Sequence, residues 1–363
     1  MPHRLFAIGV GLVTALLPLS AASPVFANGA NVGVARPLTV MTRNLDAGTD
    51  YGPVFAATTP FGFLQATTSV WQEIQASNIP ERMAGIAAEI AATAPDIVSL
   101  QEVTLFRTGP FSFSGIPQAS TVVYDQLGSL VSALAADGVH YQVVRVLDEF
   151  DVEAPTLLGY DVRATDRDAM LMRSDLSAKV LSVSNVQAAP YVSLLSVPIL
   201  GSPVSVVRGW ISADFTSLGR TTRVIATHLD TVTAVATAQA QELLSGPGST
   251  SLPVIVAADF NTGPGVSSTY GVLLGGGLTD TWSATKPSDP GLTWALHDED
   301  PTNASATPSI RIDLVLERGV TPKADLLVGA TTADLTPSGL WPSDHAGVVA
   351  SVWLAPPPGR TGN

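Results

Sequence analysis

The segment VIVAADFNTG, residues 254–263, decides the prediction of the fold. Its first part, Val254 to Ala257, is apolar and rich in β-branched residues, which is typical of a buried strand. Asp259 and Asn261 follow at the end of that strand, two residues apart, so their side chains point to the same side. The pattern indicates a functional rim at a strand end, with an Asx-type turn into Gly263 as the alternative.

Four further polar clusters close or follow apolar runs: Thr42-Arg43-Asn44, Gln101-Glu102, Thr227-His228 and Ser343-Asp344-His345. One fold could gather their carboxylates, amides and imidazoles at one rim, which would suit metal-assisted attack on a phosphate ester. Each cluster also has a structural interpretation. Asn44 fits a turn, Glu102 a solvated strand end, and His228 an interior histidine.

The last of these clusters carries the sharpest prediction. Asp344 and His345 are adjacent, so they could place a metal ligand beside a general base, because histidine titrates near neutral pH. Glu102 is the kind of oxygen ligand that Mg²⁺ binds, and the amide oxygen of Asn44 could join it. Asp313 could orient His345 by accepting its other ring proton, and a buried ion pair with Arg311 is the competing interpretation.

The apolar runs that predict strands outnumber the predicted helices. The predicted strands are Leu38 to Met41, Ile97 to Leu100, Tyr141 to Leu147, Ala169 to Met172, Val180 to Val183, Arg208 to Asp214, Arg223 to Thr227, Val254 to Ala257, Ile312 to Leu316 and Val348 to Leu354. The predicted helices are Pro80 to Ala94, Val122 to Ala136 and Ala234 to Leu244. Alternating and continuous runs both occur, so mixed α/β layers fit better than a purely parallel sheet.

Long loops are predicted where Gly, Pro, Ser, Thr or Asp dominate, and we expect them to govern substrate choice. They are Gly48 to Asn78, Arg107 to Thr121, Tyr160 to Asp168, Gly246 to Ser251 and Lys286 to Ser309. Trp282, Trp294 and Trp341 lie in or near loops around Asp313. They could stack on a base, rest on lipid or close the core, and core packing is their default role. The apolar stretch Tyr191 to Leu200 could contact a membrane surface, although burial is the simpler expectation.

The two ends of the sequence predict an exported protein. Residues 1–27 resemble a signal peptide, with a weakly basic start, an apolar stretch and a Val25-Phe26-Ala27 cleavage pattern. Residues 28–355 are then the mature domain, and the proline-rich residues 356–363 a disordered tail. We therefore expect a secreted or periplasmic protein without stable membrane insertion, and we find no sign of an obligate protein partner.

Composition excludes several functions. The absence of cysteine rules out disulfides and thiolate chemistry. The formal charge is −13 and becomes −14 if the predicted signal peptide is removed, because that segment carries Arg4 and no acid. No cluster of Lys or Arg supplies the basic surface of a tight duplex binder. A nuclease that turns over quickly nevertheless stays possible.

The ordered set Asn44, Glu102, His228, Asp259-Phe260-Asn261, Asp313 and Asp344-His345 resembles the endonuclease/exonuclease/phosphatase superfamily of DNase I-like enzymes over roughly Leu38 to Leu354. The resemblance implies a four-layer α/β sandwich, in which two mixed β-sheets pack face to face between flanking helices. It also implies a metal-dependent phosphoesterase that uses Mg²⁺ or Mn²⁺. Ala258 departs from the glycine that is common before the Asp-Phe-Asn motif.

The same resemblance assigns roles to individual residues. Asn44, Glu102 and Asp344 would be metal ligands, His345 the general base and Asp313 its orienting partner. Asp259 would position the nucleophile, while His228, Asn261 and, less directly, Arg208 would hold phosphate oxygens. The family places a further tyrosine or acid in the segment Tyr160 to Arg173, and the sequence does not choose between Asp166 and Asp168.

Three functions remain open at this point. The first is a secreted phosphodiesterase or phosphatase acting on a small or lipid-derived phosphate ester, such as a sphingomyelinase-like enzyme acting on a phospholipid. The second is an extracellular nuclease acting on nucleic acid with the same chemistry. The third is a binding module without catalysis, which the complete set of polar rim residues disfavours.

Overall fold

The structure is a computed structural model that describes residues 36–297 and 307–354. The predicted signal peptide, residues 1–27, and the predicted tail, residues 356–363, lie outside the described residues. None of the helices in the described part is both long enough and apolar enough to cross a bilayer.

Strands make up most of the regular structure. They are β1 (Leu38–Asn44), β2 (Ile97–Gln101), β3 (Leu105–Pro110), β4 (Thr121–Asp125), β5 (Tyr141–Pro155), β6 (Tyr160–Arg173), β7 (Leu181–Pro190), β8 (Leu195–Ile199), β9 (Ser202–Val206), β10 (Gly209–Ser217), β11 (Arg220–His228), β12 (Val254–Asp259), β13 (Thr279–Asp280), β14 (Asp313–Arg318), β15 (Val320–Val328) and β16 (Gly347–Leu354). The helices are α1 (Gly52–Phe55), α2 (Pro60–Ala76), α3 (Ile79–Thr93), α4 (Gln126–Ala136), α5 (Thr233–Ser245), α6 (Ser268–Gly275) and α7 (Thr281–Thr285), with a 3₁₀ turn at Thr332–Asp334.

The strands form two large mixed sheets. The first has the order β15-β16-β1-β2-β6-β3-β4, with β5 paired to β6, and the second has the order β13-β14-β12-β11-β10-β7. The pairs β1–β2 and β11–β12 are parallel, and the other pairs are antiparallel. A separate hairpin joins β8 and β9.

The sheets pack face to face through a core to which both contribute apolar side chains, such as Val40 and Ile97 from the first sheet and Ile211 and Ile255 from the second. Helices α2, α3 and α4 cover the outer face of the first sheet, and α5 and α6 cover that of the second. The four-layer α/β sandwich is therefore confirmed.

Two predicted loops are wrong, and each has a physical reason. The stretch Gly48 to Asn78 contains α2, which begins at Pro60 after Thr59, whose side chain accepts a hydrogen bond from the Gly62 N–H at 3.1 Å. The stretch Tyr160 to Asp168 lies in β6, where charged residues that pair across strands, such as Arg163 with Asp151, hide the alternation expected of a strand.

Two other stretches were only partly predicted. The helix expected over Val122 to Ala136 begins at Gln126, because the residues before it pair with β3 as β4. Tyr191 to Leu200 contains β8, whose side chains are half-buried or exposed. Trp282 and Trp341 are buried, as core packing predicts, whereas Trp294 is 38% exposed.

Candidate active site

The parallel pairing of β1 and β2 brings two predicted site residues together. Asn44 pairs with Gln101 at the carboxyl ends of these strands, so Glu102 lies directly beyond the rim. The Asn44 Nδ2 donates to Glu102 Oε1 at 3.0 Å. Glu102 has φ 53°, a left-handed conformation that glutamate rarely adopts, and it turns the chain at the strand end.

The second sheet places three more site residues in one row. In the register, His228 of β11 is opposite Asp259 of β12, and Asp259 is opposite Asp313 of β14. The row reaches the first sheet, because Asn44 Nδ2 also donates to Asp259 Oδ2 at 3.1 Å. Burial, reinforced by the charge of Asp313, raises the pKa of Asp259 to about 6.

His345 completes this rim just before β16. Its Nδ1 lies 2.9 Å from Asp313 Oδ2, and its Nε2 lies 3.5 Å from Asn44 Nδ2 and 3.8 Å from Asp259 Oδ2. Asp313 as the acceptor fixes the proton on Nδ1 and leaves Nε2 directed at the rim. Burial lowers the pKa of His345, but the charges of Asp313, Asp344 and Asp259 outweigh it and hold that pKa well above its usual value.

Backbone contacts hold this histidine against β1. The Ser343 hydroxyl donates to the Asn44 carbonyl at 2.8 Å and accepts from the His345 N–H at 3.1 Å. The buried Arg43 donates to the His345 carbonyl and pairs with Glu89 at 2.9 Å. The imidazole is therefore attached to both sheets.

Two of the predicted metal ligands, Glu102 and Asp344, present carboxylate oxygens held by hydrogen bonds. Glu102 Oε2 is anchored by the Ala47 N–H at 3.0 Å, and Asp344 Oδ2 by the Trp294 indole N–H at 3.0 Å. Burial and the charges of Asp166 and Asp344 raise the pKa of Glu102 to about 7. These anchored carboxylates repel one another in a buried site, so the donor set fits a hard divalent cation such as Mg²⁺.

Asn44 takes an orientation that the sequence did not predict. Its amide oxygen accepts from the Asp46 N–H at 2.8 Å, and its amide nitrogen faces the carboxylates. A ligand role for Asn44 would require the two amide atoms to exchange places by rotation about χ2.

His228 and Asn261 are also in contact. Asn261 Nδ2 lies 3.0 Å from His228 Nε2 and donates to the Leu229 carbonyl at 2.9 Å, so both amide hydrogens have acceptors within the chain. Burial, followed by the charges of Arg208 and His345, lowers the pKa of His228 well below its usual value. His228 Nε2 also lies 3.4 Å from Asp259 Oδ2, and its Nδ1 is buried without a hydrogen-bond partner among the described residues.

Arg208 lies between two carboxylates beside the site. Its Nη1 lies 2.9 Å from Asp166 Oδ2 and 3.1 Å from Glu149 Oε2, and its side chain is 15% exposed. Asp168 is buried, and neither of its carboxylate oxygens has a hydrogen-bond partner among the described residues. One carboxylate oxygen each of Glu149 and Asp168 and one ring nitrogen of His228 lie within 4.8 Å of one another.

Sequence reasoning missed Glu149, and it did not predict the contact of Trp294 with Asp344 and His345. Glu149 lies in a part of β5 that is polar and was not predicted as a strand. Trp294 forms isolated β-bridges with Ile310 and His345, and its ring centroid lies 6.5 Å from that of His345. No sequence pattern indicates this contact.

Comparison with known proteins gives the fold and the family. No curated protein matches the sequence. An endonuclease/exonuclease/phosphatase from Bacteroides vulgatus matches with a TM-score of 0.53 at 17% identity, covering 88% of this chain and 99% of that chain. A mannosyl-6-phosphatase from Bacteroides thetaiotaomicron matches with a TM-score of 0.52 at 18% identity, covering 87% and 99%. A humanized TDP2 from D. rerio matches with a TM-score of 0.51 at 18% identity, covering 87% and 98%.

The sequence itself matches a family profile over residues 72–345. That range includes nearly all of the rim, from Glu102 to His345, although Asn44 precedes it. The profile and the four-layer fold agree: the chain belongs to the Endonuclease/Exonuclease/phosphatase family.

Proposed function

We propose that this protein is an exported, metal-dependent phosphoester hydrolase in which His345 activates water. The observation that carries the proposal is the pair formed by His345 Nδ1 and Asp313 Oδ2 at 2.9 Å, with Nε2 directed at a rim of acids, 3.8 Å from both Asp259 Oδ2 and Asp344 Oδ1. Export rests on the signal-like residues 1–27.

Glu102 and Asp344 would hold the cation, together with Asn44 if its amide oxygen turns towards them. When bound, Mg²⁺ or Mn²⁺ would offset the charge of the phosphate and stabilise the leaving oxygen. Burial, together with the charges of Asp166 and Asp344, raises the pKa of Glu102 to about 7, and a bound cation would offset this clustered negative charge.

The chain's own residues supply the proton transfer. In the proposed reaction the oxygen of a water molecule forms a bond to phosphorus, and the ester P–O bond breaks on the opposite side. His345 Nε2 takes the proton of that water, while Asp313 holds the ring in orientation and stabilises the imidazolium. Asp259, 3.8 Å from Nε2, would position the water. The leaving oxygen finally carries a proton from the solvent.

The phosphate oxygens need donors as charge builds on them. Asn261 and His228 lie next to Asp259, but the Asn261 amide nitrogen contacts His228 Nε2 and the Leu229 carbonyl, so this role requires the Asn261 amide to turn. Arg208 keeps its charge between Glu149 and Asp166 and lies on the side of the rim nearest Glu102.

The experiment is hydrolysis by the purified mature protein with Mg²⁺ or Mn²⁺ of bis-p-nitrophenyl phosphate, DNA, sphingomyelin and an inositol phosphate. We expect metal-dependent turnover of at least one substrate and its loss in His345→Ala. If the folded protein hydrolyses none of them with either metal, or if His345→Ala is fully active, the proposal is overturned.

A further inference from the structure

A cavity of about 360 Å³ opens beside the candidate active site. It lies between Glu102 and the β8–β9 hairpin, whose Leu195, Val197 and Val206 form its outer wall. We call this cavity the side pocket. Since a water molecule occupies about 30 Å³ of liquid volume, the side pocket has room for a substrate group of several heavy atoms.

Aromatic side chains form a second wall of the side pocket. Tyr51, Phe55 and Phe150 line it, and the rings of Phe55 and Phe150 meet edge to face with centroids 6.2 Å apart. The Tyr51 hydroxyl is buried and has no hydrogen-bond partner among the described residues. Aromatic faces carry negative potential, which attracts organic cations.

The charged groups of the side pocket are mostly negative. Among the described residues, four carboxylates line it, from Asp50, Glu102, Asp166 and Asp230, against the guanidinium of Arg208. With Glu102 at the proposed cation and Asp166 paired with Arg208, Asp50 and Asp230 carry the remaining negative charge. That guanidinium is held between Asp166 and Glu149, so its charge is largely compensated. Burial and the charges of Asp166 and Glu102 raise the pKa of the Tyr51 hydroxyl, which shows the sign of the local field.

We infer that the side pocket binds an alkylammonium group that a short linker joins to the scissile phosphate, as in a choline phosphate ester. This inference rests on the proposed phosphoester hydrolysis and adds the substrate class. Aromatic rings and carboxylates together favour an organic cation, and a cation at Glu102 would place the phosphate at the mouth of the pocket.

The same features disfavour a polyanion. A nucleic acid would bring a second phosphate close to the reacting one, where Asp50, Asp166 and Asp230 would repel it. Within the part of the chain that the structure describes, Arg208 is the only basic residue that lines the pocket, and it is already paired. A zwitterionic ester instead places its anionic end at the rim and its cationic end among the acids.

The test compares two chromogenic substrates that differ in charge. One is p-nitrophenylphosphorylcholine, and the other is its carbon isostere, 3,3-dimethylbutyl p-nitrophenyl phosphate, which has the same shape without the positive charge. We expect the ratio of their kcat/KM values to favour the choline ester by about 10-fold, the range that cation–π contacts and nearby carboxylates supply.

Two variants locate this preference in the side pocket. Phe150→Leu removes an aromatic face, and Asp230→Asn removes a charge while its amide oxygen can still accept from the Val232 N–H. We expect each to reduce the ratio several-fold. Phe61→Leu is the matched control, because Phe61 is 61% exposed on α2 and is not a lining residue, and it should keep the ratio.

The outcomes separate the two proposals. Equal turnover of both substrates, preference for the isostere, or an unchanged ratio in both pocket variants overturns the inference and leaves the hydrolase proposal standing. If the protein hydrolyses bis-p-nitrophenyl phosphate but neither the choline ester nor its isostere, the inference is also overturned. Failure with every substrate overturns the proposed function and this inference with it.

Discussion

His345 and Asp313 form the pair on which the proposed chemistry depends. Replacing His345 by Gln should lower kcat about 10²- to 10⁴-fold, because general base catalysis contributes that much. Asp313→Asn should also lower kcat, since an amide nitrogen facing Nδ1 would favour the tautomer that carries its proton on Nε2. Steady-state kinetics at saturating metal tests both changes. An unchanged kcat in either folded variant would contradict the role assigned to it.

Glu149 gives the protein a predictable dependence on pH. Burial, followed by the charge of Asp166, raises its pKa to about 8 against an ordinary value of 4.5, even though Arg208 lowers it. Between these values the folded state keeps a proton that the unfolded state has lost. The free energy of unfolding should therefore fall as pH rises through this window, by the linkage between proton binding and stability.

The measurement is urea unfolding of the wild type and Glu149→Gln at pH 5.5 and pH 8, without added metal. The amide oxygen of the introduced glutamine can still accept from the Gly209 N–H, whose bond to Glu149 Oε1 is 2.9 Å, but the amide does not titrate. The difference in stability between the two pH values should be smaller in the variant. The same difference in both proteins would show that Glu149 does not titrate in this window.

At the scale of elements, Arg82 on α3 connects the loop after β1 with the loop before β16. It is fully buried, pairs with Asp46 at 3.1 Å and donates to the Asp46 carbonyl at 2.8 Å and the Pro342 carbonyl at 3.1 Å. Asn44 ends β1 directly before the first of these loops, and His345 lies in the second. Rigid packing of α3 against the sheet therefore fixes the rim.

Arg82→Met should destabilise the protein by about 3–5 kcal/mol, because it removes the guanidinium paired with the buried Asp46 carboxylate, which then has only the contact with His297 Nε2 at 3.2 Å among the ion pairs of the described residues. It should also lower kcat, because both rim loops lose a common anchor. Arg163→Met is the control, since its pair with Asp151 is partly exposed and is expected to contribute less than about 1 kcal/mol. Equal losses of unfolding free energy in the two variants would contradict this account.

The elements show what sequence patterns could predict. Val254 to Ala257 and the other apolar runs lie in strands, because burial between two layers requires a visible hydrophobic pattern. β6 was missed where its residues are charged and paired with β5, and so was β8, whose side chains are at most half-buried. β8 pairs with the adjacent β9, and this part of β6 pairs with the preceding β5 and with β3, so backbone pairing rather than a buried apolar face defines these strands. A hydrophobic pattern therefore does not reveal them.

The site residues also divide into those that a sequence pattern could predict and those that it could not. Strand-end residues such as Glu102 and Asp259 could be predicted, because the polar residue after an apolar strand falls at the rim whatever the sheet order. Glu149 and Trp294 could not be predicted. The contact of Glu149 with Arg208 depends on where β5 lies, and the contact of Trp294 with Asp344 depends on the path of the loop before β14. The side pocket is also built from segments that are distant in sequence, so the sequence alone does not identify the substrate.

At the scale of the whole molecule, the rim is the place where both sheets meet, so binding a cation there should stabilise the folded chain as a unit. A ligand present at 100 times its Kd adds about 2.7 kcal/mol to the free energy of unfolding. We expect Mg²⁺ or Mn²⁺ to raise the melting temperature and EDTA to reverse the rise. Differential scanning calorimetry at several metal concentrations measures it.

Glu102→Gln should remove this stabilisation, because the amide keeps an oxygen acceptor for the Ala47 N–H but loses the charge that attracts the cation. Glu317→Gln is the control. Glu317 is also a buried glutamate with a raised pKa, caused by burial, but it lies towards the end of β14 away from Asp313. If the metal raised the melting temperature of Glu102→Gln as much as that of the wild type and of Glu317→Gln, the cation would bind elsewhere, and the assignment of the rim as the metal site would be wrong.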